Sequence, residues 1–522
     1  MIKTYILAAL AGGVTWNFSE QAANHGLQFD HASSTSSIPT DEISMIYSGL
    51  ALGDLNNDGW DDIFATTGAG PASGNYNKLY IANQDGTFTE SANSWNLSNL
   101  DFRNSGPLII DFNGDGHRDL LIGGAGSGGN LRYYENNGNN TFTDRSAYSA
   151  LSNSDTYSIS AADLDKDGDL DIAMTRWIFH DDEIIWFNDG TGKFTDNTSP
   201  FLSDPTHKST FTAGLVDVNN DFVPDLLMTS DFADSKYYLS NNTPNLQLQS
   251  SINITDENGM GAAYADYDND GDLDWFVSSI YDADGVSEAN WGTSGNRLYQ
   301  NDGMGNFTDV SQTAGVRHGF WGWGSCFADF NNDMHQDLYH VNGFPIAQIG
   351  IDETDFDADP ARMFINQGDG TFVEMAVALN VADTGQGRAI LCFDNDNDGD
   401  LDILIQNNNQ QSVFFENNLA DGSHYLQIKL QQPGANMDGI GAKVYVTAGG
   451  VTQMRQVIAG GSFGSTVWTT QHFGLANNTS AAVRVEWDAN RRESWFIDTV
   501  DQKIVLQPKP DLIFADGLDT AP

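Results

Sequence analysis

Seven stretches of this chain gather oxygen-bearing side chains at a spacing that can hold a metal ion. Each reads Asp-x-(Asp/Asn)-x-Asp-Gly-x-x-Asp or a near variant, beginning at Asp54, Asp111, Asp163, Asp217, Asp266, Asp329 and Asp394. Side-chain oxygens at loop positions 1, 3, 5 and 9, with a main-chain carbonyl at 7, converge on one point when the chain turns sharply at position 6. The candidate ligands are Asp54, Asn56, Asp58 and Asp62, then Asp111, Asn113, Asp115 and Asp119, then Asp163, Asp165, Asp167 and Asp171. They continue with Asp217, Asn219, Asp221 and Asp225, then Asp266, Asp268, Asp270 and Asp274. The last two sets are Asp329, Asn331, Asp333 and Asp337, and Asp394, Asp396, Asp398 and Asp402. Hard oxygen donors without His or Cys suit Ca²⁺ rather than zinc or copper.

The turn at position 6 needs φ > 0, which Gly59, Gly116, Gly168, Gly271 and Gly399 supply without steric cost. Phe222 and Met334 stand there in the fourth and sixth loops, where a left-handed non-Gly residue costs ~1–2 kcal/mol. Five to seven structural calcium ions are therefore expected. These are not helix-loop-helix calcium sites. Position 12, which would need a bidentate Glu, holds Ala65, Met174, Val277 or Ile405, and a strand pattern follows. A single such loop would read as a solvated turn. Seven copies reverse that reading, because without a cation each would crowd like charges together.

The loops recur at intervals of 57, 52, 54, 49, 63 and 65 residues, each inside the same succession of short strand signals. A small apolar run precedes the loop (Ala262–Ala265) and another follows it (Asp274–Val277). Next comes an aromatic run ending in Asn, such as Leu298-Tyr299-Gln300-Asn301 or Leu79-Tyr80-Ile81-Ala82-Asn83, and then a Gly-rich turn into Phe307-Thr308-Asp309. Four short strands per unit predict an all-β fold, a seven-bladed β-propeller over residues 16–420. The seventh unit lacks its last strand after Phe414-Phe415-Glu416-Asn417. Residues 17–27 parallel residues 306–316, so the N-terminal segment is expected to complete that blade and remove an open edge.

The charge balance is 23 Lys+Arg against 72 Asp+Glu, a net −49, which repels phosphate backbones and argues against nucleic acid as a partner. Met1-Ile2-Lys3 followed by an apolar run to Ala11 reads as a signal peptide over residues 1–13, hence a secreted, extracellular or periplasmic protein. No later stretch is apolar enough for a membrane span. Cys326 and Cys392 stand three and two residues before equivalent loops, which turns them to opposite strand faces. They are read as two small buried side chains rather than a bridge.

With the loops in view, the chain resembles the FG-GAP/VCBS repeats of integrin-like propellers. Phe320-Trp321-Gly322-Trp323-Gly324-Ser325 and Gly385-Gln386-Gly387-Arg388 resemble the cartilage acidic protein family and its bacterial relatives. Gly439–Val444, Gly460-Gly461-Ser462-Phe463, His472–Leu475 and Val483–Trp487 are similar to the ASPIC/UnbV domain. Trp487-Asp488-Ala489-Asn490 departs from the family's Trp-Pro-x-Gly, and an EGF-like module is missing, which points to a bacterial-type member. The resemblance implies an extracellular calcium-binding protein that acts as a binding or adhesion module, with an unknown extracellular protein or glycan as partner. Some bacterial relatives are encoded beside enediyne biosynthesis genes. That keeps open an enzyme of secondary metabolism or polymer processing, with its site in the propeller channel or at the domain junction.

Residues 421–508 alternate as short strands separated by glycines and predict a small β-sandwich-like domain packed on the propeller, with 509–522 as a tail. No HExxH, G-x-S-x-G or phosphate-binding loop occurs. His335 and His340, near the sixth loop, are read as surface histidines rather than a catalytic pair, and Phe320, Trp321 and Trp323 as packing between blades rather than a stacking platform.

Overall fold

The computed structural model describes residues 16–31, 45–67, 76–97, 104–124, 131–151, 155–177, 184–203, 209–240, 245–250, 252–282, 292–345 and 356–509. Residues 1–13, expected to be a signal peptide, and all of the tail beyond residue 509 lie outside them. Among these residues the chain builds seven antiparallel sheets around four consecutive-type strands each. Blades 1 to 7 take their innermost strands from Leu50–Gly53, Asn104–Ile110, Thr156–Ala162, Thr210–Val216, Ala262–Ala265, Gly322–Ala328 and Gly387–Phe393. Those strands touch in cyclic order, and the last returns to the first, which makes the architecture a β-propeller.

Burial explains the strand patterns. The second strands, such as Asp62–Ala65 and Asp171–Arg176, are buried on both faces and so read as continuous apolar runs. In five blades the outermost strand buries only its leading phenylalanine (Phe88, Phe142, Phe194, Phe307, Phe372) and leaves the next residues half-buried or exposed, whereas in blade 4 it is Gln247–Leu248, with neither residue buried. Phe18–Glu20 pairs with Val413–Asn417 in the register Phe18↔Asn417, Ser19↔Glu416, Glu20↔Phe415. The two ends of the ring thus meet in one sheet. The helical turn Ala22–His25 after it ends at Gly26 with φ 75°, as Ser311–Ala314 ends at Gly315 with φ 85° in blade 5.

The C-terminal domain has two sheets. Gln471–Ala476, His424–Leu430 and Gln502–Leu506 form one; Val451–Gln456, Lys443–Ala448, Ala481–Asp488 and Arg491–Ile497 form the other. Between them the chain dives into the ring. Ala459 and Gly460 pair with Ala161 and Ser160 of blade 3. The Leu50 amide donates to Gly464 O (3.0 Å) and the Thr466 amide to Leu50 O (3.1 Å) in blade 1. Ser462 Oγ donates to Ser325 O in blade 6 (3.1 Å), and the Ile390 amide of blade 7 donates to Ser465 Oγ (2.9 Å). Phe463 packs on Phe211 and Trp323 at the ring axis. Gly464, at φ 56°, could carry no side chain there, since a Cβ would lie 2.6 Å from Ser48 O.

One expectation fails. Cys326 and Cys392 form a disulfide, with Cα atoms 6.6 Å apart. Opposite strand faces are no obstacle, because each blade presents opposite faces to its two neighbours. A one-residue offset between adjacent innermost strands therefore turns both sulfurs into the same inter-blade space.

Candidate metal centres

All seven loops share one framework. The position-9 aspartate is buried, and its two oxygens accept from two main-chain amides. For Asp171 these are Leu164 and Asn188 (both 2.9 Å), for Asp274 Tyr267 (3.3 Å) and Asn301 (2.9 Å), and for Asp402 Asn395 (3.0 Å) and Asn417 (2.8 Å). Asp62, Asp119, Asp225 and Asp337 do the same from Leu55 and Ala82, Phe112 and Asn136, Val218 and Ser240, and Phe330 and Asn366. Position 9 thus ties the loop to the third strand whether or not it also meets a metal.

The carboxylates at positions 1, 3 and 9 converge in three loops: Asp163/Asp165/Asp171, Asp266/Asp268/Asp274 and Asp394/Asp396/Asp402, each with oxygens within 4.8 Å of one another. The position-5 aspartates Asp167, Asp270 and Asp398 are not in these groups; each takes the amide two residues on. In the fifth loop Asp266 is 1% exposed and neither of its oxygens meets a donor in hydrogen-bonding geometry, nor does Asp268 Oδ1. In the seventh, Asp394 Oδ1 is likewise unpartnered, while Oδ2 accepts from the Gly399 amide (3.0 Å) and Gln427 Nε2 (2.6 Å). A buried carboxylate oxygen without a donor costs several kcal/mol on the order of an unmade charged hydrogen bond, and a cation between three carboxylates removes that cost. These residues fit a Ca²⁺ ion. Burial, reinforced by the neighbouring carboxylates, lifts Asp266 and Asp394 to about 7, and burial lifts Asp163 to about 6 and Asp171 to about 8.

The other four loops carry Asn at position 3 (Asn56, Asn113, Asn219 and Asn331), so each offers one carboxylate fewer there. In the first and sixth, Asn56 and Asn331 turn their amides onto the position-5 carboxylates of Asp58 and Asp333, and Asn113 does the same to Asp115 in the second. Asp54, Asp111, Asp217 and Asp329 accept amides of their own loops, as Asp163 and Asp394 also do. Asn219 accepts from the Asp221 amide in the fourth loop.

The C-terminal domain lies over this loop face. Arg118 pairs with Asp438, Lys429 stands 3.7 Å from Asp54, His472 Nε2 meets Asn332 Oδ1 at 2.7 Å, and the Ala476 amide donates to Asn332 O. A cavity of about 100 Å³ remains at the junction, lined by Arg455, His472, Asp329 and the disulfide.

A model of the FG-GAP-like repeat matches residues 54–122, 111–174, 217–277 and 281–340, and one described as ASPIC and UnbV matches residues 432–511. The chain carries four FG-GAP-like repeats and an ASPIC/UnbV domain. No curated protein matches it significantly. Solved structures similar to it include BBS1N in complex with ARL6DN, soaked with mercury (9% identity, 76% of this chain and 98% of that one, TM-score 0.41). The same complex soaked with lead stands at 8%, 79%, 99% and 0.43, and YCF48 bound to D1 peptide at 11%, 78%, 99% and 0.42. At these values the likeness adds nothing to the sheets already described. The seventh FG-GAP loop, at Asp394, lies outside the matched repeats, yet its carboxylates converge as those of the third and fifth do.

Other residues singled out in the sequence take structural places. Trp321 and Trp323 are buried: Trp321 stacks on Trp323 and on Phe344 and turns Nε1 to Met260 Sδ of blade 5, while Trp323 packs edge-on against Phe211 of blade 4, so both pack between blades. Phe320 stands apart, under the Arg362 guanidinium. Arg388 is buried against Trp323 and donates to Met45 O and Gly343 O rather than opening into a pocket. His340 is not at the surface: it is sandwiched between Phe276 and Phe364, with Nε2 on Asn296, and burial pushes its pKa down to about 3. His335 is half-buried and meets Asn269 across the blade boundary.

Two features escape a reading by period alone. Position 4 of every loop is also left-handed, with φ between 56° and 71° at Asn57, Gly114, Lys166, Asn220, Asn269, Asn332 and Asn397. Asn or Gly in six of seven was the available signal. In five blades the Asn at the end of the third strand is an inter-blade tie: Asn301 Nδ2 donates to Val218 O of blade 4 (2.7 Å) and Leu273 O (3.0 Å), and Asn136, Asn188, Asn366 and Asn417 do likewise, while blade 4 has Ser240 at this place. In blade 1 the residue at this place is Ala82, so Asn83 is one step too far.

Proposed function

We propose that this chain is an exported binding module whose propeller loops are held by structural calcium. The observation that carries the reading is the trio of converging carboxylates at the third, fifth and seventh loops, with buried oxygens of Asp266 and Asp394 left without donors. The FG-GAP repeats support a binding or adhesion role. The disulfide supports an oxidising compartment. The face turned away from the C-terminal domain is the surface offered to an extracellular protein or glycan.

An enzymatic reading has less support. Phe463 and its neighbours fill the ring axis, and at the junction His472 is held by Asn332 while Arg455 donates to Met454 O and Gln453 Oε1. The decisive experiment is thermal unfolding of the purified chain in EDTA and across a calcium titration, with metal analysis of the same sample. A saturable rise in Tm with calcium and little with magnesium is expected, since magnesium demands a tighter octahedral cage. A fully folded, calcium-free chain whose melt ignores calcium would overturn the reading.

A further inference from the structure

The fourth loop differs from the other six in what enters it. Its turn residue is Phe222, at φ 60°. Lys443, at the start of Lys443–Ala448 in the C-terminal domain, places Nζ 2.9 Å from Asp217 Oδ2 and donates to Asn220 Oδ1 at 2.5 Å. The two side chains of the ion pair are 1% and 3% exposed. The ammonium lies 5.4 Å from the centre of the Phe222 ring, close enough for a cation–π contribution. The rest of the loop is satisfied around it: Asp217 accepts from the Asp221 and Phe222 amides, Ser240 Oγ donates to the Asp221 carboxylate, and the Asp217 amide donates to Gln456 Oε1.

We propose that the Lys443 ammonium is the resident cation of the fourth loop, so that this loop takes no calcium and instead pins the C-terminal domain to the ring. The inference rests on the calcium reading of the third, fifth and seventh loops. A Ca²⁺ ion would have to sit ~2.3–2.6 Å from the Asp217 oxygens, against an ammonium already bonded there. Like charges that close in a buried site exclude one another, and Lys443 cannot leave without exposing the strand that carries it. Phe222 fits the same assignment: a ring beside an ammonium is attractive, where the metal-binding loops keep glycine. The corresponding contact at the seventh loop is the neutral amide of Gln427, which leaves the charge on Asp394 uncompensated. Lys429 stands farther off, 3.7 Å from Asp54 and 3.8 Å from Asp61, shared between two carboxylates.

The test is calcium per chain by mass spectrometric metal analysis of the full protein equilibrated at fixed free calcium. Asp217→Asn should keep the wild-type count, Asp394→Asn should lose one ion, and Lys443→Met should gain one. If Asp217→Asn fails to fold, the charge-neutral pair Asp217→Asn/Lys443→Met should still show the wild-type count. Loss of an ion in Asp217→Asn or in the pair, or a folded Lys443→Met without the extra ion, overturns the assignment and leaves the other loops untouched. A wild-type chain that binds no calcium overturns both.

Discussion

Asp266 concentrates the problem that calcium solves: a buried carboxylate, two neighbours of like charge, and no donor in bonding geometry. Asp266→Asn should therefore remove one calcium ion per chain, read by metal analysis, and shrink the calcium-dependent part of the melting shift. Acidity gives a second test. With Asp163 lifted to about 6, Asp266 and Asp394 to about 7 and Asp171 to about 8, the metal-free fold holds these protons more tightly than the unfolded chain, whose aspartates titrate near ~3.9. That contribution to stability is complete below the unfolded value and is lost as pH rises through the folded ones. In EDTA, Tm should fall between about pH 5 and pH 8. With calcium, which favours the ionised form, it should not, so the gap between the two curves widens as pH rises. A constant gap would count against carboxylate ligands. The chemistry of these side chains is legible in the sequence because ligand type and spacing are local. Lys443 is not, because its loop lies 226 residues away in the chain and only docking brings the two together.

The strand that ends in Asn is more than a strand. Asn301 satisfies one carbonyl in its own blade and one in the blade before, so Asn301→Ala leaves two buried acceptors short. The expected cost is ~1–3 kcal/mol in urea unfolding. Asn83→Ala, at the exposed turn of blade 1, should stay within ~0.5 kcal/mol. Equal effects would mean that the tie is incidental. The blade repeat itself is legible because six of the seven blades repeat the same burial, an apolar second strand and an outer strand with one buried phenylalanine; blade 4 ends in Gln247–Leu248 instead. Contacts between blades leave a fainter trace. Alternation along Cys326 and Cys392 describes each strand alone, whereas the bridge depends on which faces two neighbouring blades turn toward each other.

For the molecule as a whole, closure is what is at stake. The disulfide joins residues 66 apart, and chain entropy alone makes such a link worth about 4 kcal/mol. Reduction, or Cys326→Ser with Cys392→Ser, should lower Tm in calcium as well as in EDTA, since the bridge and the loops act independently. Removing residues 1–20 should bare the edge of Val413–Asn417 and produce oligomers by light scattering. A monomer with unchanged melting would show the closing strand to be dispensable. The pairing of Ser19 with Asn418, 399 residues apart, also sets a schedule. At ~5–20 residues per second, the first strand synthesised waits roughly 20–80 s for its partner, and the segment that fills the axis arrives later still. The ring cannot close before residue 417 has been made, so a nascent chain stays open for most of its synthesis.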